Sequence, residues 1–201
     1  WDDIQKKVVP LRYSLSVIGW DTEIEFYRAV SEVARKGSYK ATQNKWSDDP
    51  DIKVRAKALG MNVLFFDPYI PDGGDQSVGF ERRESLEELL RESDIVTLHT
   101  PLTEETRGMI NGQALSCMKK DAILINTSRG EVVDVDAVTE ALKANRIGAA
   151  GLDVLPQEPP DPNHPLFSAL KNREAWTEGR VIVTPHAAWY SPDGARDCRE
   201  K

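Results

Sequence analysis

Ala122-Ile123-Leu124-Ile125-Asn126-Thr127-Ser128-Arg129-Gly130 is followed, after residues 134–144, by Ala149-Ala150-Gly151-Leu152-Asp153-Val154. The two apolar runs in this stretch decide the fold. A strand with one wet face alternates apolar and polar residues. A run that is apolar at nearly every position belongs to a strand covered on both faces, as in a parallel sheet. Between the runs, Val135, Val138, Ala141 and Leu142 fall on one side of residues 134–144 at helical spacing. Strand, amphipathic helix and strand make a βαβ unit, whose crossover is right-handed.

The same alternation continues outward in both directions. Met61-Asn62-Val63-Leu64-Phe65-Phe66 and Asp94-Ile95-Val96-Thr97-Leu98-His99 read as strands, as does Val181-Ile182-Val183-Thr184. Ser85-Leu86-Glu87-Glu88-Leu89-Leu90 reads as a helix, with Ser85 as N-cap and Glu88 at the capping-box position. Residues 113–118 predict a short helix. Residues 156–179, with Pro159, Pro160, Pro162 and Pro165, predict a long irregular connection. Residues 53–190 are therefore expected to form one doubly wound α/β domain with a parallel sheet. Residues 191–201 are expected to start a truncated C-terminal helix. The first 52 residues are less regular. Leu15-Ser16-Val17-Ile18-Gly19 can form a strand ending in glycine, and residues 22–36 can form a helix with Ile24, Tyr27, Val30 and Ala34 on one face.

Composition narrows the function classes. With 201 residues the chain can bury a core without staples. A net charge of −7 argues against a nucleic-acid surface, which needs clustered Lys and Arg. No apolar run approaches the roughly 18 residues of a membrane span. Cys117 and Cys198 lack CxxC spacing, so free thiols in a reducing, cytoplasmic setting are expected, with a nuclear setting as the alternative. The start, Trp1-Asp2-Asp3-Ile4, resembles no targeting peptide and lacks an initiator Met, as a fragment would.

Three residues carry the chemistry. Arg129, Glu158 and His186 each lie on, or just beyond, the end of an apolar run. A fixed cation, a carboxylate and an imidazole at strand ends suit proton-coupled chemistry on a carboxylate substrate. Taken singly, Arg129 is a surface Arg before a glycine turn and His186 a satisfied core histidine; the case for catalysis is their company.

The strings Arg55-Ala56-Lys57-Ala58-Leu59-Gly60-Met61, Phe66-Asp67-Pro68-Tyr69, His99-Thr100-Pro101-Leu102-Thr103, Asn126-Thr127-Ser128-Arg129-Gly130 and Thr184-Pro185-His186-Ala187-Ala188-Trp189-Tyr190-Ser191 occur in one order. In that order they resemble the nucleotide-binding domain of the D-isomer-specific 2-hydroxyacid dehydrogenases, over roughly residues 53–201. The Trp189-Tyr190 pair is most similar to the C-terminal-binding-protein branch. The resemblance implies a Rossmann-like fold and NAD as cofactor. It implies that Asp67 bonds the adenosine ribose and repels a 2′-phosphate. It places Thr100, Pro101, Leu102 and Thr106 along the cofactor, Asn126 and Thr127 near the nicotinamide ribose, and Asp153 on the carboxamide, and it counts Arg129 and His186 among the cofactor-binding residues as well. Arg129 would hold the substrate carboxylate with a planar, permanently charged fork. His186 would be the general acid of reduction and base of oxidation, with Glu158 orienting it. Trp189 would wall the substrate pocket, or simply pack.

The chain also departs from that family pattern. A dinucleotide fold opens with a glycine-rich turn that admits the pyrophosphate. Here Gly19 is followed by Trp20-Asp21-Thr22-Glu23-Ile24-Glu25, and Ser47-Asp48-Asp49-Pro50-Asp51-Ile52 stands before residues 53–61. Residues from about 13 to 52 are therefore expected to interrupt or replace the first strand and its glycine turn. The family's substrate domain is expected to be largely absent. The expected function is an NAD-binding oxidoreductase domain for small 2-hydroxy or 2-oxo acids, paired as a homodimer through the nucleotide domain. The alternatives are an NAD-sensing co-repressor-like binding module and a non-binding remnant.

Overall fold

Apolar runs joined by amphipathic segments sort into strands and crossovers. The computed structural model describes residues 14–18, 62–69 and 81–188. Its strands are β1 (Ser14–Ile18), β2 (Asn62–Phe66), β3 (Glu81–Arg82), β4 (Ile95–Leu98), β5 (Ile123–Asn126), β6 (Ala149–Leu152) and β7 (Val181–Val183). Its helices are α1 (Leu86–Glu92), α2 (Gly112–Cys117), α3 (Val135–Lys143) and α4 (Pro165–Asn172). The strands form one sheet in the order β3-β2-β1-β4-β5-β6-β7. Every neighbouring pair is parallel. This is the expected doubly wound architecture.

The register aligns the strand ends. Ile18 pairs with Phe66 and Leu98, Leu98 with Asn126, Asn126 with Leu152, and Leu152 with Val183. One line of paired residues thus crosses the sheet, and the next residue of each strand stands on its carboxyl rim. β1 lies between β2 and β4, where connections leave in opposite directions. Ligands of open α/β sheets bind outside the carboxyl ends at that switch point.

Within the expected N-terminal segment, Ser14–Ile18 take an interior place in the sheet, between β2 and β4. The inner edges of β2 and β4 carry backbone donors and acceptors that need partners, and β1 pairs with both. The first strand is in place, where an interruption or replacement was expected. The turn after Ile18, the possible helix at 22–36, Trp189 and residues 191–201 lie outside the described residues.

The core sits between sheet and helices. Val96, Leu98 and Leu124 of the strands and Leu89, Leu90, Val138 and Leu142 of the helices are fully buried. α3 begins where Asp134 accepts a hydrogen bond from the Ala137 amide, and α2 where Asn111 accepts from Gln113 and Ala114. Ser85 caps α1 by accepting from the Glu88 amide. The Glu88 carboxylate reaches back to the Glu84 amide instead of the cap residue's own, so the capping box closes one residue early.

The connection expected to be irregular over 156–179 contains α4. Pro165 opens it, where a missing N–H costs nothing because the first helical amides have no partner within the helix. Leu166 and Ala169 bury one face, and Arg173 ends the helix in a left-handed conformation. The prolines that suggested a loop punctuate the helix start.

Candidate active site

The expected site residues other than Trp189, which lies outside the described residues, gather on or beyond the aligned strand ends. Asp67 follows β2, and Thr100, Pro101, Leu102 and Thr106 follow β4. Asn126 is the last residue of β5, with Thr127 and Arg129 beyond it. Asp153 and Glu158 follow β6, and His186 follows β7. Backbone bonds continue the ladder past the strands: the Asp153 amide donates to the Asn126 carbonyl at 2.9 Å, the Thr184 amide to Leu152 at 3.0 Å, and the His186 amide to Asp153 at 2.9 Å. Loops that leave parallel strands in register therefore stay beside one another.

The loop after β5 is organised by a buried amide. Asn126 is fully buried. Its Nδ2 donates to the Arg129 carbonyl at 2.9 Å, while its Oδ1 accepts from the Ser128 amide at 3.0 Å and the Ser128 hydroxyl at 2.8 Å. Asn126 thus supports the loop from below, and exposed Arg129 rides on it with Nη1 donating to the Ser128 carbonyl at 2.8 Å. Gly130 follows. A Cβ there would stand 2.0 Å from the Leu155 carbonyl carbon, so only glycine lets this loop lie against the one after β6.

That second loop carries Glu158. One carboxylate oxygen, Oε1, accepts from the Leu155 amide at 2.9 Å, and the other, Oε2, is 2.8 Å from His186 Nδ1. Glutamate is an acceptor only, so Nδ1 carries the proton and the ring is held in one tautomer. In that tautomer of the neutral ring, Nε2 is the nitrogen without a proton. Burial pushes the Glu158 carboxyl up, but the Leu155 amide and the His186 ring together outweigh it and hold the group below its ordinary value.

A depressed carboxylate adds stability above its unfolded pKa and loses it as pH falls through its folded one. Glu158→Gln is therefore expected to be less stable than the native chain at neutral pH, with the gap closing below the usual glutamate pKa of about 4.3. Urea unfolding at both pH values checks this. A gap of equal size at both would contradict the pairing.

His186 itself sits at φ 52°, in the left-handed region. Such a conformation in a non-glycine residue costs about 1–3 kcal/mol and persists only where its surroundings impose it. Asp153, 6% exposed, faces this turn.

Two other loops carry the residues expected beside a cofactor. Asp67 is largely buried at the end of β2, and its Oδ1 accepts from the Tyr69 amide at 2.8 Å. That bond fixes the carboxylate and leaves Oδ2 uncommitted among the described residues, which fits a ribose diol. After β4, Thr106 donates to the Pro101 carbonyl at 2.7 Å and accepts from the Thr103 amide at 2.8 Å. Thr106 therefore shapes the loop that carries Thr100, which is buried, and Leu102, which packs on the core. Thr127 is half-buried on the rim. The other histidines serve locally: His99 meets Thr97 at 3.0 Å, and His164 caps α4 and contacts Asp136 at 3.0 Å.

The family model for the NAD-binding domain of D-isomer-specific 2-hydroxyacid dehydrogenases matches residues 51–188. The chain belongs to this family. It is 46% identical to a glycerate dehydrogenase of Methylorubrum extorquens over 143 residues, 71% of this chain and 40% of that protein. It is 47% identical to a glyoxylate reductase of Aeropyrum pernix over 132 residues, 66% of this chain and 36% of that protein. The NAD+-bound D-lactate dehydrogenase of Lactobacillus jensenii superposes with a TM-score of 0.65 at 31% identity, covering 94% of this chain and 49% of that one. The chain thus spans about half or less of the length of these 2-hydroxyacid dehydrogenases and carries the family's NAD-binding domain. No helix among the described residues is long and apolar enough to cross a membrane.

Sequence reasoning missed two supports of this candidate site. Gly130 was read only as a glycine turn after Arg129, although a glycine directly after a candidate cation was a usable signal of close backbone approach. The enclosure of Asp153 by residues 184–188 had no sequence signal, because those partners lie about thirty positions away.

Proposed function

We propose that this domain belongs to an NAD-dependent oxidoreductase that interconverts small 2-hydroxy and 2-oxo acids. The observation that carries the proposal is the 2.8 Å pairing of His186 with Glu158 on the strand rim that also presents Arg129. In this reading Arg129 holds the substrate carboxylate, and Asn126 keeps that guanidinium's loop in place. His186 delivers a proton from Nε2 to the 2-oxygen in reduction and recovers it in oxidation. Glu158 holds the ring in place between those steps. The bound nicotinamide supplies the hydride. Asp67 would hold the adenosine ribose, with Thr100, Pro101, Leu102 and Thr106 along the same side, Thr127 near the second ribose and Trp189 at the substrate. The enzyme would work in the cytoplasm as a homodimer paired through this domain. The relatives described above are dehydrogenases and reductases, which favours this reading over a co-repressor-like module or a non-binding remnant.

Thermal unfolding with increasing NADH tests the cofactor half. At about a hundred times Kd the expected gain is about 2.7 kcal/mol, or roughly 5–11 °C in Tm for a chain of this size. NADPH should give a smaller rise because of Asp67. NADH oxidation with glyoxylate or hydroxypyruvate tests the substrate half. A flat Tm across the titration would overturn the assignment.

A further inference from the structure

The turn after β7 is folded around a single carboxylate. Thr184 Oγ1 donates to Asp153 Oδ1 at 2.5 Å, the Ala187 amide donates to the same oxygen at 2.9 Å, and the Ala188 amide donates to Oδ2 at 2.9 Å. The His186 amide donates to the Asp153 carbonyl as well, at 2.9 Å. Asp153 therefore grips the chain on both sides of His186. His186, between the gripped residues, is the one at φ 52°. Charge-assisted bonds of this kind are about twice as strong as neutral ones.

From this we infer that Asp153 is a positioning residue for His186: its carboxylate imposes the left-handed turn and so holds the imidazole against Glu158. This differs from a role in which Asp153 serves chiefly as a ligand of the nicotinamide carboxamide. Three donors from the protein already occupy the carboxylate, two on Oδ1 and one on Oδ2. Asp153 is on the β6 end and His186 beyond β7, so the grip also ties the two strand ends of the site together. The inference rests on the proposed role of His186, yet it is readable without turnover.

The test is Asp153→Asn in this chain, which keeps the shape but puts an NH₂ donor against an N–H or hydroxyl donor. Ala187 is exposed, so exchange of its amide hydrogen reports the hydrogen bond more than burial. Exchange at Ala187 and Ala188 is expected to quicken by about tenfold or more, as for a local opening. Carbon-13 titration of the Glu158 carboxyl should move up toward the ordinary glutamate value, because the ring leaves it. NADH affinity should stay within about twofold, a small effect on the scale where tenfold is about 1.4 kcal/mol. His186→Gln is the comparison: Glu158 should move up while Ala187 and Ala188 stay protected. If Asp153→Asn does not fold, Thr184→Val removes one of the three donors and should quicken the same amides in part. Native exchange and Glu158 titration in the folded variant would overturn the inference. So would an unchanged Glu158 with a large loss of NADH affinity, which would make Asp153 a cofactor contact. Failure of native turnover would count against the proposed function alone, since neither spectroscopic readout depends on it.

Discussion

Alanine at Gly130 is expected to destabilise the domain by about 3 kcal/mol, the upper end of the usual range for forcing atoms into a filled site. The added Cβ would stand 2.0 Å from the Leu155 carbonyl carbon, 2.1 Å from its oxygen and 2.4 Å from the Pro156 nitrogen. All three are backbone atoms, so no side chain can swing aside to make room. The two loops must part. One carries Arg129 and the other carries Glu158, so the parting also separates the cation from the His186–Glu158 pair. For a chain of this length the loss corresponds to roughly 6–12 °C in Tm, measured by thermal unfolding. Gly151, within β6, offers the control, because a Cβ there meets only the Ile125 side chain at 3.8 Å. Equal Tm values for Gly130→Ala and the native chain would show that the loops do not pack as described.

His186→Gln is expected to have the largest effect on rate. A positioned general acid contributes about 10²–10⁴-fold. Glutamine keeps polarity and approximate length but has no group that titrates near neutrality. The loss should fall mainly on kcat with NADH and a 2-oxo acid, while NADH affinity, which depends chiefly on other loops, changes much less. Glu158→Gln should cost less, since Glu158 acts through the ring. The double variant should be little worse than His186→Gln alone, because residues that act as one unit do not contribute additively. A loss of only about twofold in His186→Gln would remove the imidazole from the reaction, as general acids are worth far more than that.

Much of this was legible in the sequence for a physical reason. Strands buried on both faces must be apolar throughout, so the runs at 95–98, 123–126 and 149–152 declared a parallel sheet. Polar residues placed just beyond such runs then fall on the carboxyl rim, which is how Arg129, Glu158 and His186 became candidates together. The helix at 165–172 was hidden because proline at a first helical position looks like proline in a loop. Capping by His164, which needs the ring nitrogen to face the Leu166 amide, gave no compositional sign. Asn126 and Asp153 were read as contacts to a ligand, and the loops their hydrogen bonds hold gave no sign in the sequence, because side-chain direction is set by packing that one sequence does not display.

The pairing of Leu98, Asn126 and Leu152 across the sheet has a further consequence. The site is measured by strand length. Each residue added within a strand advances everything after it by about 3.3 Å and turns the next side chain to the opposite face. A residue added to a crossover on the amino side of the sheet leaves both quantities alone. The sheet acts as a ruler whose zero marks are the last paired residues, and the chemical groups are graduations just past zero. Variation in length is then tolerable on one edge of the domain and ruinous on the other.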